Sequence, residues 1–163
     1  MPLQLILPFL NQIGIVVTER PLTGPTFLPG ILIEEGTLAI DREKLKYPGD
    51  LLHEAGHIAV VVPSQRASLS ANLQTGPAEE MAAIAWSYAA ALHIGLDPAI
   101  VLHEHGYKGG GGSILKNFRE GRYFAVAFLA WCGMTRERAD GAEEPAYPQM
   151  KTWMRAEPAA VGG

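Results

Sequence analysis

Cysteine is all but missing: the chain of 163 residues has one thiol, Cys132. A single thiol excludes an intramolecular disulfide and any zinc site built from several cysteines. It fits a reducing compartment, and the chain is expected to be cytoplasmic. An excess of basic charge is missing too. Thirteen Lys and Arg stand against seventeen Asp and Glu, for a net charge of −4. No basic run of the kind a phosphate backbone attracts is present, so a nucleic-acid partner is not expected. Long hydrophobic runs are equally scarce. The opening MPLQLILPFLNQIGIVV is apolar, but Pro8, Asn11 and Gln12 interrupt it well short of a membrane span. No Lys or Arg precedes it and no small-residue cleavage site follows it. Neither a signal peptide nor a membrane segment is expected.

What is present suits a folded α+β protein. Apolar residues make up 48% of the chain and charged residues 18%, enough to bury one core. No repeat appears and no domain boundary has an obvious place, so residues 1–163 read as one domain with a frayed tail over 155–163. Pro8 and Gly14 predict the start and stop of a short helix through Phe9, Leu10 and Ile13. A Pro- and Gly-rich connector runs from Pro21 to Gly30. In ILIEEGTLAID, Ile31 to Asp41, two β-prone runs flank Glu35-Gly36 and predict a hairpin. Pro48 and Asp50 supply helix-start chemistry for an apolar run that Pro63 must end.

Most of the remainder reads as helix. A helix is predicted from Glu79 to Ile94, stopped by Gly95. Asp97-Pro98 opens another, ending near Gly106, and Ser113 caps ILKNFRE before Gly121. RYFAVAFLAWC runs to Gly133, and a last short helix starts at Pro148 and carries Met150, Trp153 and Met154. The stretch from Arg136 to Ala146 is polar and reads as a surface loop. Trp86 and Tyr88 in their alanine-rich helix read as core packing, and Cys132 as an inert buried thiol.

The chemistry concentrates in LLHEAGHIAV, Leu51 to Val60. Four residues turn a helix through about 400°, so His53 and His57 leave one face about a turn apart. That separation suits two nitrogens on one tetrahedral Zn²⁺, each at about 2.0–2.1 Å. Glu54 points beside the ion, where a carboxylate takes a proton from zinc-bound water without coordinating. Ala55 and Gly56 leave room for a metal, a substrate or a close neighbouring helix. Burying two imidazoles and a carboxylate in apolar surroundings without a partner is expensive, and a metal is the simplest partner.

A catalytic zinc ordinarily has three protein ligands, and no histidine lies between Gln65 and Leu73. Glu79 and Glu80 are the next candidates. On a helical wheel Met81, Ile84, Tyr88 and Leu92 share a face, and Glu80 borders it while Glu79 lies almost opposite Tyr88. Glu80 is therefore preferred. One or both acids also favour the positive end of the helix dipole.

HEAGH followed by a glutamate opening a second helix resembles the gluzincins, zincin-like metallopeptidases of the thermolysin type. The likeness covers roughly Gly30 to Leu92, and EMAAIA, Glu80 to Ala85, resembles the glutamate helix of the smallest bacterial members. It implies a zincin-like α+β fold, with a short N-terminal sheet packed on an active-site helix and a glutamate helix. It implies His53, His57 and Glu80 as zinc ligands, Glu54 as the base that activates water, and a peptide or protein substrate held extended on a sheet edge. Ile84 stands where larger members carry an aspartate that orients a ligand histidine, so Asp50 or a backbone carbonyl must do so here. The family's oxyanion-stabilising His or Tyr has candidates in His93, His103, His105 and Tyr107.

HEHGYKGGGG, His103 to Gly112, adds a second feature. On a helix His103 and His105 point about 200° apart and cannot share an ion. The segment reads as a helix end stopped by Gly106. Its glycines lack the Gly-Lys-Ser/Thr of a phosphate-binding loop, and a lid beside the site is the functional alternative. Two functions follow: a zinc-dependent hydrolase, foremost a small peptidase, or a non-catalytic zincin-fold metal-binding protein that regulates or binds a partner.

Overall fold

The structure is a computed structural model that describes residues 1–70, 76–137 and 145–158. Among these residues it is a mixed α+β arrangement: a three-stranded sheet and six α-helices. Helix α1 spans Pro2–Ile13 and ends on Gly14 in the left-handed conformation, at φ 91°. Its start is Pro2 and not Pro8, which lies inside the helix. Proline there removes one donor to the Gln4 carbonyl. Both residues are exposed, so water takes its place, while Ile6, Phe9 and Leu10 bury the opposite face.

Strands β1 (Val17–Glu19), β2 (Ile31–Glu34) and β3 (Thr37–Ile40) form a sheet in the order β1-β3-β2. The predicted hairpin is present, with Ile31 opposite Ile40 and Glu34 opposite Thr37. Both turn residues have positive φ, Glu35 at 48° and Gly36 at 75°, which is the type I′ combination that matches strand twist. Gly36 is required twice over, because a Cβ there would lie 2.5 Å from the Arg66 carbonyl oxygen. Strand β1 has no counterpart in the sequence reading. It is three residues long and pairs with β3 in parallel, Val17 with Leu38 and Glu19 with Ile40.

Helix α2 (Asp50–Ala59) is buried along nearly its whole length. It packs against β2, β3, α4 (Pro77–Ile94) and α1, so even its polar side chains lie largely out of water. A four-residue helix, α3 (Pro63–Arg66), follows α2. Gly56 and the alanines of α4 let α2 and α4 approach closely. A Cβ on Gly56 would meet the Ala83 carbonyl oxygen at 2.9 Å and Trp86 Cε3 at 3.2 Å. Trp86 itself is fully buried and Tyr88 nearly so, in keeping with a packing role.

The second half is less helical than its composition predicts. Asp97 does cap, accepting from the Ala99 amide at 3.0 Å, but only a 3-10 turn over Pro98–Ile100 follows. Helix α5 (Gly111–Arg119) starts at Gly111 rather than at Ser113, because only glycine fits: a Cβ there would fall 2.1 Å from the His103 carbonyl oxygen. Helix α6 (Val126–Trp131) is shorter than the apolar run that holds it, and Cys132, at its C-cap, is half-buried. No helix forms from Pro148. Residues 147–158 are an irregular strap instead, bridged at Met150 to Thr135.

The strap spans the neighbourhood of both central helices. Trp86 Nε1 donates to the Trp153 carbonyl at 3.0 Å and Tyr147 Oη to the Ala85 carbonyl at 2.7 Å, both on α4. At the end of α2, the Arg155 amide and side chain donate to the carbonyls of Ala59 (2.9 Å) and Val60 (3.2 Å). The polar stretch read as a surface loop lies outside the described residues over 138–144, as does the tail over 159–163. No helix among the described residues is long and apolar enough to cross a membrane.

Candidate metal centre

Helix α2 presents Asp50, His53, Glu54 and His57 along about two turns. Glu80 stands in the first turn of α4, which starts from Gly76 and Pro77. The close α2–α4 contact at Gly56 carries that first turn over the two imidazoles. His53 Nε2 lies 3.1 Å from His57 Nε2 and 3.1 Å from Glu80 Oε1, and His57 Nε2 lies 2.8 Å from Glu80 Oε2. The rings are crossed at 88°, so both Nε2 atoms face one point. Donors on a tetrahedral ion with bonds of about 2.1 Å are roughly 3.4 Å apart. The observed contacts, which use both Glu80 oxygens, are a few tenths of an ångström shorter than that. His, His and carboxylate are a recognised zinc donor set.

The cluster has a closed side and an open one. The imidazole side chains are 10% and 9% exposed, whereas Glu80 is 42% exposed, so solvent reaches the group from the carboxylate. Electrostatics follow that layout. Burial opposes the ionised form of Glu80, but hydrogen bonds from His53 and His57 outweigh it and hold the carboxyl far below its ordinary range. For His57 burial opposes the charge, yet the bond to Glu80 and the nearby carboxylates raise its pKa. Burial pushes Glu54 up; the two histidines pull it back, and Glu80 and Asp50 add to the rise. A raised carboxyl beside such a cluster is suited to picking up a proton.

The other residues singled out by sequence are distributed as follows. Glu79 is half-buried in the first turn of α4, folded back toward the Gly76 backbone. Asp50 does not orient either cluster imidazole; its Oδ1 lies 2.7 Å from His103 Nε2. Tyr107 does, with its phenol oxygen 3.1 Å from His53 Nδ1. His105 stacks on Tyr47 at 5.4 Å, and His103 stacks on the same ring at 4.4 Å. His93 belongs elsewhere, between Phe9 and Trp153, on a cavity of about 400 Å³ lined also by Leu92 and Met150. His103 is irregular and residues 104–105 form a turn, not a helix end, and His103 reaches Asp50 on α2. The contact between Tyr107 and His53 was not legible beforehand. Its only sequence signal is a tyrosine in a glycine-rich segment.

Two helix-borne histidines and a carboxylate brought together in a small α+β fold form a group that could hold a metal ion. No protein-family model, no curated protein and no solved structure matches the chain.

Proposed function

We propose that His53, His57 and Glu80 hold one zinc ion and that the chain is a zinc-dependent hydrolase acting on peptide or protein substrates. The observation that carries this is the meeting of three donor atoms, each pair within 4.8 Å, from two helices. A bound zinc supplies Lewis acidity, polarising a carbonyl and acidifying water. The residues supply the rest. Glu54, partly buried and with its carboxyl pushed up, takes a proton from attacking water and returns it to the leaving amine. The shielded side of the cluster keeps the imidazoles fixed, and the Glu80 side admits the substrate. In the β1-β3-β2 order β2 is an edge strand, and an extended peptide adds to such an edge by main-chain hydrogen bonds. The lone cysteine suits work in the cytoplasm.

The test is Glu54→Gln. That variant is expected to keep one zinc per chain and to lose hydrolysis of a broad peptide library. A wild-type protein that binds zinc and turns over nothing in that library refutes the enzyme, and leaves a metal-binding protein with a regulatory or interaction role.

A further inference from the structure

The segment from His103 to Gly110 is fastened to α2 at two points: Asp50 to His103 at 2.7 Å and His53 to Tyr107 at 3.1 Å. Asp50 and His53 are three positions apart on the helix and so share a face. Tyr47 lies flat against His103, 22° from parallel, and steadies the first fastening. The second demands unusual backbone. Tyr107 and Lys108 both have φ of 56°, a left-handed conformation that side chains disfavour. Strain of this kind persists where surrounding contacts impose it. Near Tyr107, the fully buried Ser87 on α4 donates to the Ile84 carbonyl at 2.9 Å.

We propose that Tyr107 is the positioning residue of the metal centre, a phenol that holds His53 by Nδ1 whether or not an ion is bound at Nε2. The inference rests on the metal reading above. A ligand histidine must present a bare Nε2, so its hydrogen sits on Nδ1 and needs an acceptor. Tyr107 Oη is that acceptor. Its own hydrogen then turns away from the ring, on the side of Ser87, whose hydroxyl donates to the Ile84 carbonyl. With no ion, the hydrogen sits on Nε2, facing Glu80 Oε1 at 3.1 Å. Nδ1 is then bare, and the Tyr107 hydroxyl turns to donate to it. One hydrogen leaves Nε2 and one arrives at Nδ1 by exchange with water, and the ring stays neutral. A carboxylate accepts but never donates when ionised, so it serves only the first state.

Zinc affinity, measured by competition with a chromophoric chelator, and long-range ¹H–¹⁵N spectra of the His53 ring test this together. In the wild type, Nδ1 is expected to be bare without zinc and to carry a slowly exchanging hydrogen with it. Tyr107→Phe is expected to bind zinc about 10–100-fold more weakly, the usual effect of removing a ligand's supporting partner, and to lose that slow exchange. Ser87→Ala, which removes one hydroxyl from an alanine-rich helix, is expected to show a smaller loss in the same direction, and it decides the matter if Tyr107→Phe does not fold. Equal zinc affinity in wild type and variants, or coordination of His53 through Nδ1, overturns the role of Tyr107 alone. A wild type that takes up no zinc overturns the metal reading, and this inference with it.

Discussion

Gly56 is the position at which fold and site are most tightly coupled, and Gly56→Ala probes that coupling. Alanine in a helix interior is favoured over glycine by about 1 kcal/mol, so on propensity alone the variant gains stability. The structure gives the opposite sign. A Cβ would lie 2.9 Å from the Ala83 carbonyl oxygen, 3.1 Å from Ala83 Cα and 3.2 Å from Trp86 Cε3. Two of those atoms are helix backbone and have no rotamer to escape into, so α4 must move. Overpacking of this kind costs about 1–3 kcal/mol, which leaves a net loss of about 1 kcal/mol after the propensity gain. For a chain of this size that is roughly 2–4 °C in Tm. Glu80 precedes Ala83 by about one turn, so the same shift draws its carboxylate from the imidazoles, and zinc affinity is expected to fall about tenfold. Urea titration of zinc-free protein and chelator competition measure the two effects. If Gly56→Ala is more stable than wild type by the full propensity gain and binds zinc unchanged, the close-approach reasoning is wrong.

Glu80→Gln is expected to lose zinc while Glu79→Gln keeps it, as measured by metal content after dialysis; the reverse result exchanges the two roles. Trp86→Ala removes a fully buried side chain and its bond to Trp153, and urea titration is expected to show a loss of about 3–5 kcal/mol. The response to pH should reverse sign with metal. His57 is raised above 6.5, so its contribution is complete below that value and is lost as pH climbs through its folded pKa. Glu54 is raised above 4.5 and acts in the same direction. Glu80 is lowered and acts at the acid end, where stability falls as pH drops below 4.5. Zinc-free protein should therefore melt earlier as pH rises above 6.5. Zinc-bound protein should gain stabilisation from the metal over the same range, because ligand imidazoles must shed their protons. Parallel melting curves in chelator and in zinc refute this.

Local chemistry made part of this structure legible in advance. Helical spacing placed His53 and His57 on one face, and Glu80, which the wheel preferred, is the acid that meets them, although Met81 and Leu92, two of the side chains that defined the face, are exposed. Glu35-Gly36 placed the hairpin turn. What stayed hidden depends on partners distant in sequence. Val17 to Glu19 is too short to signal a strand and extends only because β3 offers a parallel edge. The helix expected beyond Pro98 gives way after Ile100 to an irregular segment whose His103 meets Asp50, on α2. Met150, Trp153 and Met154 have helical spacing, yet the strap's polar groups bond to Met134, Thr135, Arg136, α2 and α4 and in a local turn at Thr152 instead of in a helical ladder. Pro8 misled in the other direction, since a proline whose freed carbonyl faces water does not end a helix. The contact of Tyr107 with His53 combines both difficulties, a distant partner reached through left-handed backbone.

The strap also sets a chronology for a chain emerging from the ribosome. His53, His57 and Glu80 are all synthesised by residue 80, whereas Trp153 and Arg155, which clasp α4 and the end of α2, come later in the chain. The cluster and the clasp on its helices are thus laid down at different times.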